Sequence, residues 1–506
     1  MMKSTAHLMK NTLLLAGGSI LLRSVGLCFQ AYLARNINPE LLGIFGLVSS
    51  VYIVFSTISI SGVRFSVTRL TAEEAAIGNE YPQRLIRSAF FYAFLFGSFS
   101  MLSMYFSSQL LASFWIGNDG ATLPLRIMAF SMPFIAFGGV FEGYFTAKQK
   151  VFRIVFAQIT NQIVRISIIV YAFSFIEGAK NHPCDVLSAG NLFGEAIYSL
   201  LLFILYFFDV CGKKSQVAQK PAFSRLFKVA MPLAVSAYMR TGLSSLGHII
   251  IPRGLKKSGM AASGAFVTYG IIHQMAFPVI MFPAALLSAL GEVLVPRLTH
   301  SQVKNQKVGI CYIVNRALRI GTIFSIGIFG LMFFYADALG TFIYKNSRAG
   351  FYIRMFAPLI PIMYVDNITD GCLKGLRQQL YSMAFNVMEA ILNITLLLFL
   401  LPKYAISGYI FTMYVKEIFN AVLSLRRLKK VTSVEIEYKT IFYLLLSSFA
   451  AKILTGIVAG SQAVLSAMVY LFFYGAVIYI TNKITRDDIN WIFKAFSPLT
   501  SKGDTI

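Results

Sequence analysis

The chain has 506 residues, of which 57% are hydrophobic and only 13% charged, with a mean hydropathy of +0.68. A soluble fold of this length could not hide so much apolar surface, so the composition specifies an integral membrane protein with several spans. The formal net charge of +24 argues for cytoplasmic loops rich in Lys and Arg beside anionic head groups. It does not argue for nucleic-acid binding, because no loop could hold a folded basic domain.

Lys3 and Lys10 precede an apolar run in the manner of a signal peptide. No cleavage pattern is clear and apolar runs continue to the end, so this segment is read as a retained first span. Runs long enough to cross a bilayer lie at roughly 11–34, 41–66, 87–114, 122–147, 151–176, 185–210, 226–252, 263–292, 311–336, 350–374, 380–402, 405–427, 438–460 and 462–482. The expected fold is an all-α polytopic membrane protein of about fourteen transmembrane helices, with two pseudo-symmetric six-helix bundles and two further C-terminal helices. Residues 1–211 form the N-terminal bundle, 212–225 a cytoplasmic linker, 226–430 the C-terminal bundle, and 431–506 the two added helices and a cytoplasmic tail. The loops "KQKVFR", "CGKKSQVAQKPAFSR", "PRLTHSQVKNQK" and "RRLKK" are basic and fall on the side of Lys3 and Lys10. Opposite loops carry few cations, "PRGLKKSG" excepted, so both termini are placed in the cytoplasm.

The two halves echo one another. Span 1 contains "ILLRSVGL" and span 7 "SAYMRTGL", while Arg69-Leu70-Thr71 after span 2 matches Arg297-Leu298-Thr299 after span 8. The same order and similar spacing favour duplication, with parallel repeats and a substrate site between them. Arg23 and Arg240 are then counterparts facing one cleft.

Charges in mid-span are unfavourable by about 2.5–3.5 kcal/mol and mark interiors or watery cavities. Arg23, Arg165 and Arg240 lie deepest; Arg64 and Arg126 stand nearer span ends, where snorkelling explains them equally well. Arg165 has Glu195 and Glu142 as candidate ion-pair partners. The other acids are Glu389, Asp366 and Asp370. Arg23 and Arg240 have no acid within two helical turns on their own spans. Arginine stays charged and grips phosphate with a planar fork, so converging arginines suit an anionic, phosphorylated substrate. Spans 1 and 7 lack interior acids, against a cationic-drug exporter. Pro133, Pro232, Pro278, Pro283, Pro358 and Pro361 are expected bending points. The five cysteines are scattered with no CxxC pair, so neither a metal site nor a disulfide framework is indicated.

The stretches "RSVGLCFQAYLARNINPELLGIFGL", "RTGLSSLGHIIIPRGLKKSGM" and "YGIIHQMAFPVIMFPAALLSALGEVLVPRLTH" resemble the stage V sporulation protein B branch of the multidrug/oligosaccharidyl-lipid/polysaccharide exporter superfamily. The likeness covers nearly the whole chain and is most specific in spans 7 and 8. It implies two six-helix bundles in a V, two extra helices, and alternating-access transport of an undecaprenyl-pyrophosphate-linked saccharide across the bacterial cytoplasmic membrane. It also implies functional cavity arginines, with Arg23 the best match, Arg240 its second-lobe analogue, and Arg64 and Arg165 carried more weakly. Gln30 and His248 depart from the branch, where a basic and an acidic residue are common.

The leading expectation is a flippase for a lipid-linked saccharide, lipid II or a related cell-wall precursor, in a sporulation or peptidoglycan context. An exopolysaccharide or O-antigen repeat-unit flippase and a MATE-like small-molecule exporter are the alternatives. The expected partners are the polyprenyl-pyrophosphate-linked saccharide, the bilayer and a monovalent cation for coupling, with Glu142, Asp366 and His248 as coupling candidates. No cofactor, metal or nucleic acid is expected. A membrane glycosyltransferase would need a large loop and a base-plus-acceptor constellation, neither of which is visible, so no enzyme is expected. A non-transporting scaffold for cell-wall synthesis would be indifferent to Arg23 and Arg240.

Overall fold

A computed structural model describes residues 2–76, 81–211, 222–432, 434, 438–458, 463–481, 485–488, 490 and 491. Most of the expected linker, 212–221, and of the expected tail, 492–506, lies outside the described residues. Every regular element among them is helical: α1 (Met2–Asn36), α2 (Pro39–Ile60), α3 (Val63–Ala76), α4 (Gln83–Leu110), α5 (Thr122–Ala129), α6 (Met132–Ala147), α7 (Val151–Phe175), α8 (Pro183–Val210), α9 (Ala222–Lys257), α10 (Ala262–Gly270), α11 (Phe277–Met281), α12 (Ala284–Val303), α13 (Lys307–Phe334), α14 (Ala336–Tyr344), α15 (Ser347–Phe356), α16 (Ile360–Gly375), α17 (Gln379–Thr432), α18 (Tyr438–Val458) and α19 (Ala463–Ile480). Helices satisfy their own backbone groups, which is what hydrocarbon demands of a spanning segment.

Eight helices among the described residues are long and apolar enough to cross a membrane, nine if the bent pair Asp119–Ala129 and Met132–Ala147 counts as one span. That is fewer than the fourteen expected, for physical reasons. Gln379–Thr432 runs through two expected spans. Its interruption is at Ala405, with φ 48° and ψ −128°, three residues after Pro402. α9 carries several cations along its length, and Leu465–Ile480 is a shorter apolar helix. α9 also starts at Ala222, inside the expected linker, where Arg225 reaches back to Glu74 at 2.8 Å and Glu73 at 3.4 Å.

Helix ends and bends follow local chemistry. Asn38 caps α2 by accepting from the Glu40 amide, with Pro39 in the first turn, where its missing N–H is harmless. Pro133 opens α6 after a 43° bend. Expected span 8 breaks into α10, a π-helical turn at Ile271–Ala276, α11 and α12, with Pro278 and Pro283 at the joints. Pro358 sits in the 3₁₀ turn that divides α15 from α16. Pro133, Pro278, Pro283 and Pro358 thus stand at helix breaks, whereas Pro232 lies inside the continuous helix α9 and Pro361 in the first turn of α16.

The chain forms two compact units. Unit N comprises Ile37–Arg253 and Ala262–Gly270; unit C comprises Met1–Asn36, Gly254–Ala261 and Ile271–Ile506. They are not contiguous chain halves: α1 belongs to unit C, whereas α10 and most of α9 belong to unit N. The core of unit N is aromatic, with Tyr92, Phe141, Tyr144 and Phe145 almost wholly buried. In unit C, α18 and α19 are tied to α13, where Tyr474 donates to the Ile323 carbonyl at 2.8 Å and Ser448 meets Tyr470 at 2.8 Å.

Small residues let backbones touch, the usual device of helix packing in lipid. A methyl group on Gly43 of α2 would collide with the Phe266 carbonyl oxygen, and one on Gly270 of α10 with that of Pro39. The expected duplication has a packing counterpart. Thr68 of α3 donates to the Gly143 carbonyl of α6 at 3.2 Å, and Thr299 of α12 to the Gly375 carbonyl of α16 at 2.9 Å. The two bonds join corresponding helix pairs, one turn apart in register.

Gly43→Ala is therefore expected to destabilise unit N by about 1–3 kcal/mol, the usual effect of overpacking. Gly475→Ala, at a glycine with open space around its Cβ position, serves as the control. Melting temperatures in detergent report the difference; equal values for the two variants refute the close α2–α10 contact.

Candidate functional site

Intramembrane charges fall into two classes, those with partners and those without. In unit N, Arg64 at the start of α3 pairs with Glu142 of α6, Nη1 to Oε2 at 2.8 Å. The Tyr198 hydroxyl of α8 donates to the other oxygen, Oε1. Both oxygens of Glu142 are thereby used. Next in chain is Gly143, where a Cβ would stand only 2.7 Å from the Arg64 carbonyl oxygen. The glycine lets α6 approach α3 closely enough for the neighbouring carboxylate to reach its arginine.

The same pattern recurs between α7 and α8. A Cβ on Gly194 would stand 2.5 Å from Asn161 Oδ1, and the neighbouring Glu195 accepts from Asn161 Nδ2 at 3.2 Å. Arg165 donates to Gln162 Oε1 at 2.6 Å. The arginine–carboxylate contact expected at Arg165 thus falls on Arg64. Arg126 donates to Ser108 Oγ at 3.1 Å and lies over the Tyr105 ring. His248 of α9 shares a hydrogen bond with the Tyr269 hydroxyl of α10 at 3.1 Å.

Unit C holds two carboxylates against one lysine, with two more acids, Asp366 and Asp370, on α16. Lys416 of α17 contacts Glu389 at 3.0 Å and its neighbour Glu417 at 2.8 Å, and its side chain is only 15% exposed. Asp370 of α16 accepts from Ser382 at 2.6 Å, and Asp366 accepts through Oδ2 from Asn420 at 2.9 Å. Asp366 Oδ1 is buried with no hydrogen bond among the described residues. Of the three coupling candidates, Glu142 and His248 are engaged, while Asp366 keeps one oxygen in reserve. No group of acids, histidines and cysteines among the described residues has metal-holding geometry.

Arg23 and Arg240 form the second class. Both are exposed on helices, Arg23 on α1 in unit C and Arg240 on α9 in unit N. Neither has a hydrogen bond or ion pair among the described residues. Two exposed, unpartnered guanidinium groups in an apolar chain can bind an external anion; a paired one must first be released.

Several contributors escaped the sequence reading. Lys416 and Glu417 sit in "YVKEIF" within an apolar run, a visible signal that was missed. Tyr198 carries no charge and gave none. The buried Asp209, bound by Lys150, Arg153 and the Tyr144 hydroxyl, stands at the very end of α8, where an acid is ordinarily taken as solvated.

Comparison with known proteins places this geometry. Residues 8–302 match the model of a family described as polysaccharide biosynthesis protein. Stage V sporulation protein B of Bacillus subtilis (strain 168) is 23% identical over 466 residues, covering 90% of this chain and 89% of that protein. The lipid II flippase MurJ of the same organism is 19% identical over 325 residues, covering 59% of this chain and 58% of that protein. Among solved structures, a lipid II flippase MurJ in an inward closed conformation superposes with TM-score 0.73 at 14% identity, over 94% of this chain and all of that one. A multidrug resistance MATE family transporter of the MOP superfamily, inward-facing, gives TM-score 0.62 at 11% identity, over 81% of this chain and 96% of that one.

The lysine-centred cluster generates a stability prediction. Lys416→Met leaves Glu389 and Glu417 buried without a cation and is expected to destabilise by about 3–5 kcal/mol. Adding Glu389→Gln and Glu417→Gln should restore most of the loss. Thermal unfolding of the single and triple variants checks this; a single variant that melts like wild type would mean that water already solvates the cluster.

Proposed function

Because the chain belongs to the polysaccharide biosynthesis protein family, in the flippase branch of the MOP superfamily, we propose that it flips an undecaprenyl-pyrophosphate-linked saccharide across the bacterial cytoplasmic membrane. The observation that carries this reading is the pair of exposed, unpartnered arginines, Arg23 and Arg240, one in each compact unit. A pyrophosphate offers the bidentate acceptors that a guanidinium fork prefers. The saccharide follows its phosphate, and the polyprenyl chain stays in hydrocarbon. Arg64 contributes only when its bond to Glu142 opens, and Arg165 only when its bond to Gln162 opens, so both act later in the cycle than Arg23 and Arg240.

Alternating access needs differential binding between two states. Asp366 supplies the coupling group in this proposal: a monovalent cation or proton on its unused oxygen would remove the repulsion of Asp370, Glu389 and Glu417. Glu142 and His248 already have partners and serve as secondary candidates. Both termini face the cytoplasm. Lipid II or a related cell-wall precursor is the proposed cargo, with an exopolysaccharide or O-antigen repeat unit as the alternative of the same chemistry. The acidic cluster of unit C favours one other reading, a MATE-like exporter of small cations.

Reconstitution into proteoliposomes with a fluorescent undecaprenyl-pyrophosphate saccharide tests the proposal. Each arginine replaces hydrogen bonds to a charged group valued at about 1.5–3 kcal/mol, so Arg23→Ala and Arg240→Ala should each slow translocation about tenfold or more. Asp366→Asn should abolish the dependence on a cation gradient while leaving lipid binding in place. Absence of translocation by the wild type, or full activity in the double arginine variant, would sink the flippase reading. Gradient-driven efflux of a cationic dye in its place would establish the exporter.

A further inference from the structure

Helix α1 is held at one end. Leu33 and Ala34, in its last turns, are buried, whereas Leu21, Arg23 and Cys28 are exposed. Polar bonds mark the held end. Gln30 Nε2 donates to the Gln274 carbonyl at 2.9 Å and to Gln274 Oε1 at 2.6 Å, which occupies both hydrogens of its amide. Arg35 Nε donates to the Ile343 carbonyl at 2.8 Å and its Nη2 to the Phe342 carbonyl, at the C-terminal end of α14. All of these residues belong to unit C.

The platform under Gln30 is itself fixed. Gln274 lies in the π-helical turn Ile271–Ala276, a kind of irregularity frequent at functional sites. Its neighbour His273 shares a hydrogen bond with the Tyr409 hydroxyl of α17 at 3.0 Å and stacks on Phe277. Its other neighbour, Met275, accepts at Sδ from Asn346 Nδ2 at 3.9 Å.

Helical geometry connects this platform to Arg23. Arg23 and Gln30, seven residues apart, lie on one stripe of α1, about 20° apart around the axis and about 10 Å along it. Gln30 and Arg35 are about 140° apart around the axis. A single attachment would let α1 swivel; two on different faces hold its rotation. A guanidinium grips phosphate through a planar fork, so the direction of the group matters as much as its presence.

We infer that Gln30 is a positioning residue for cargo recognition: together with Arg35 it fixes the rotation of α1 and thereby the direction of the Arg23 guanidinium. Gln30 has no charge to offer a phosphate and both of its amide hydrogens are in use, so it acts through Arg23 and not on the cargo itself. This role deepens the flippase reading and depends on cargo binding at Arg23.

Gln30→Leu keeps the bulk of the side chain and removes both donors. In proteoliposomes it should raise the concentration of undecaprenyl-pyrophosphate saccharide at half-maximal rate about fivefold or more, the weight of one hydrogen bond. The maximal rate should stay within about twofold of wild type, because binding and not the later step is altered. In an Arg23→Ala background the same change should add nothing, since the two residues act as one unit. A nitroxide on the native Cys28, in a chain carrying Cys211→Ser and Cys311→Ser, reads the helix without transport: Gln30→Leu should add a more mobile component to its spectrum. Gln274→Leu removes one acceptor and leaves the backbone carbonyl. It should act in the same direction to a smaller extent, and it carries every readout if Gln30→Leu does not fold. Additive effects of Arg23→Ala and Gln30→Leu, a change in maximal rate alone, or an unaltered Cys28 spectrum overturns the positioning role and leaves the flippase reading standing. Full activity in Arg23→Ala overturns both.

Discussion

A charge held in hydrocarbon must be paired, hydrogen-bonded or kept in contact with water, and this requirement organises the molecule. Glu142 is answered twice, by Arg64 and by Tyr198. Lys416 is shared between Glu389 and Glu417. Asp209 is surrounded by Lys150, Arg153 and Tyr144. Against that background, the guanidinium groups of Arg23 and Arg240 are exposed and make no ion pair or hydrogen bond among the described residues.

The pairing depends on how closely helices approach, and that in turn depends on glycine. Glu142 is followed by Gly143, and Glu195 is preceded by Gly194. In both places a Cβ would meet the facing helix within 2.7 Å. Asp370 also precedes a close-packed glycine, Gly371, but that glycine faces Gly291 of α12 while the donor to Asp370 is Ser382 of α17. An acid beside a glycine is thus a recurring device: the missing side chain removes the steric barrier and the adjacent carboxylate reaches its donor.

These features separate the tasks that transport imposes. Paired charges hold helices in register and change partners only when a helix moves. Pro133, Pro278, Pro283 and Pro358 stand at helix breaks, where a spanning segment bends most easily. In the proposed function, the exposed Arg23 and Arg240 recognise the cargo.

The amino-acid sequence by itself determined the membrane class, the all-helical fold, the family and the positions of most bends. Each of these follows from local quantities: run length, apolar fraction, proline placement and the echoes between halves, an arginine closely followed by Gly-Leu and the repeated Arg-Leu-Thr. It also singled out Arg23 and Arg240, because an arginine without a nearby acid is visible in one dimension. Only the tertiary structure decided that Glu142 belongs to Arg64 and Tyr198, that Lys416 anchors an acidic cluster, and that Asp366 keeps an unused oxygen. It alone assigned α1 to unit C and most of α9 to unit N. The reason is physical: a side chain's partner across a helix interface is set by crossing geometry and by small residues on the facing helix, and neither leaves a periodic trace along the chain.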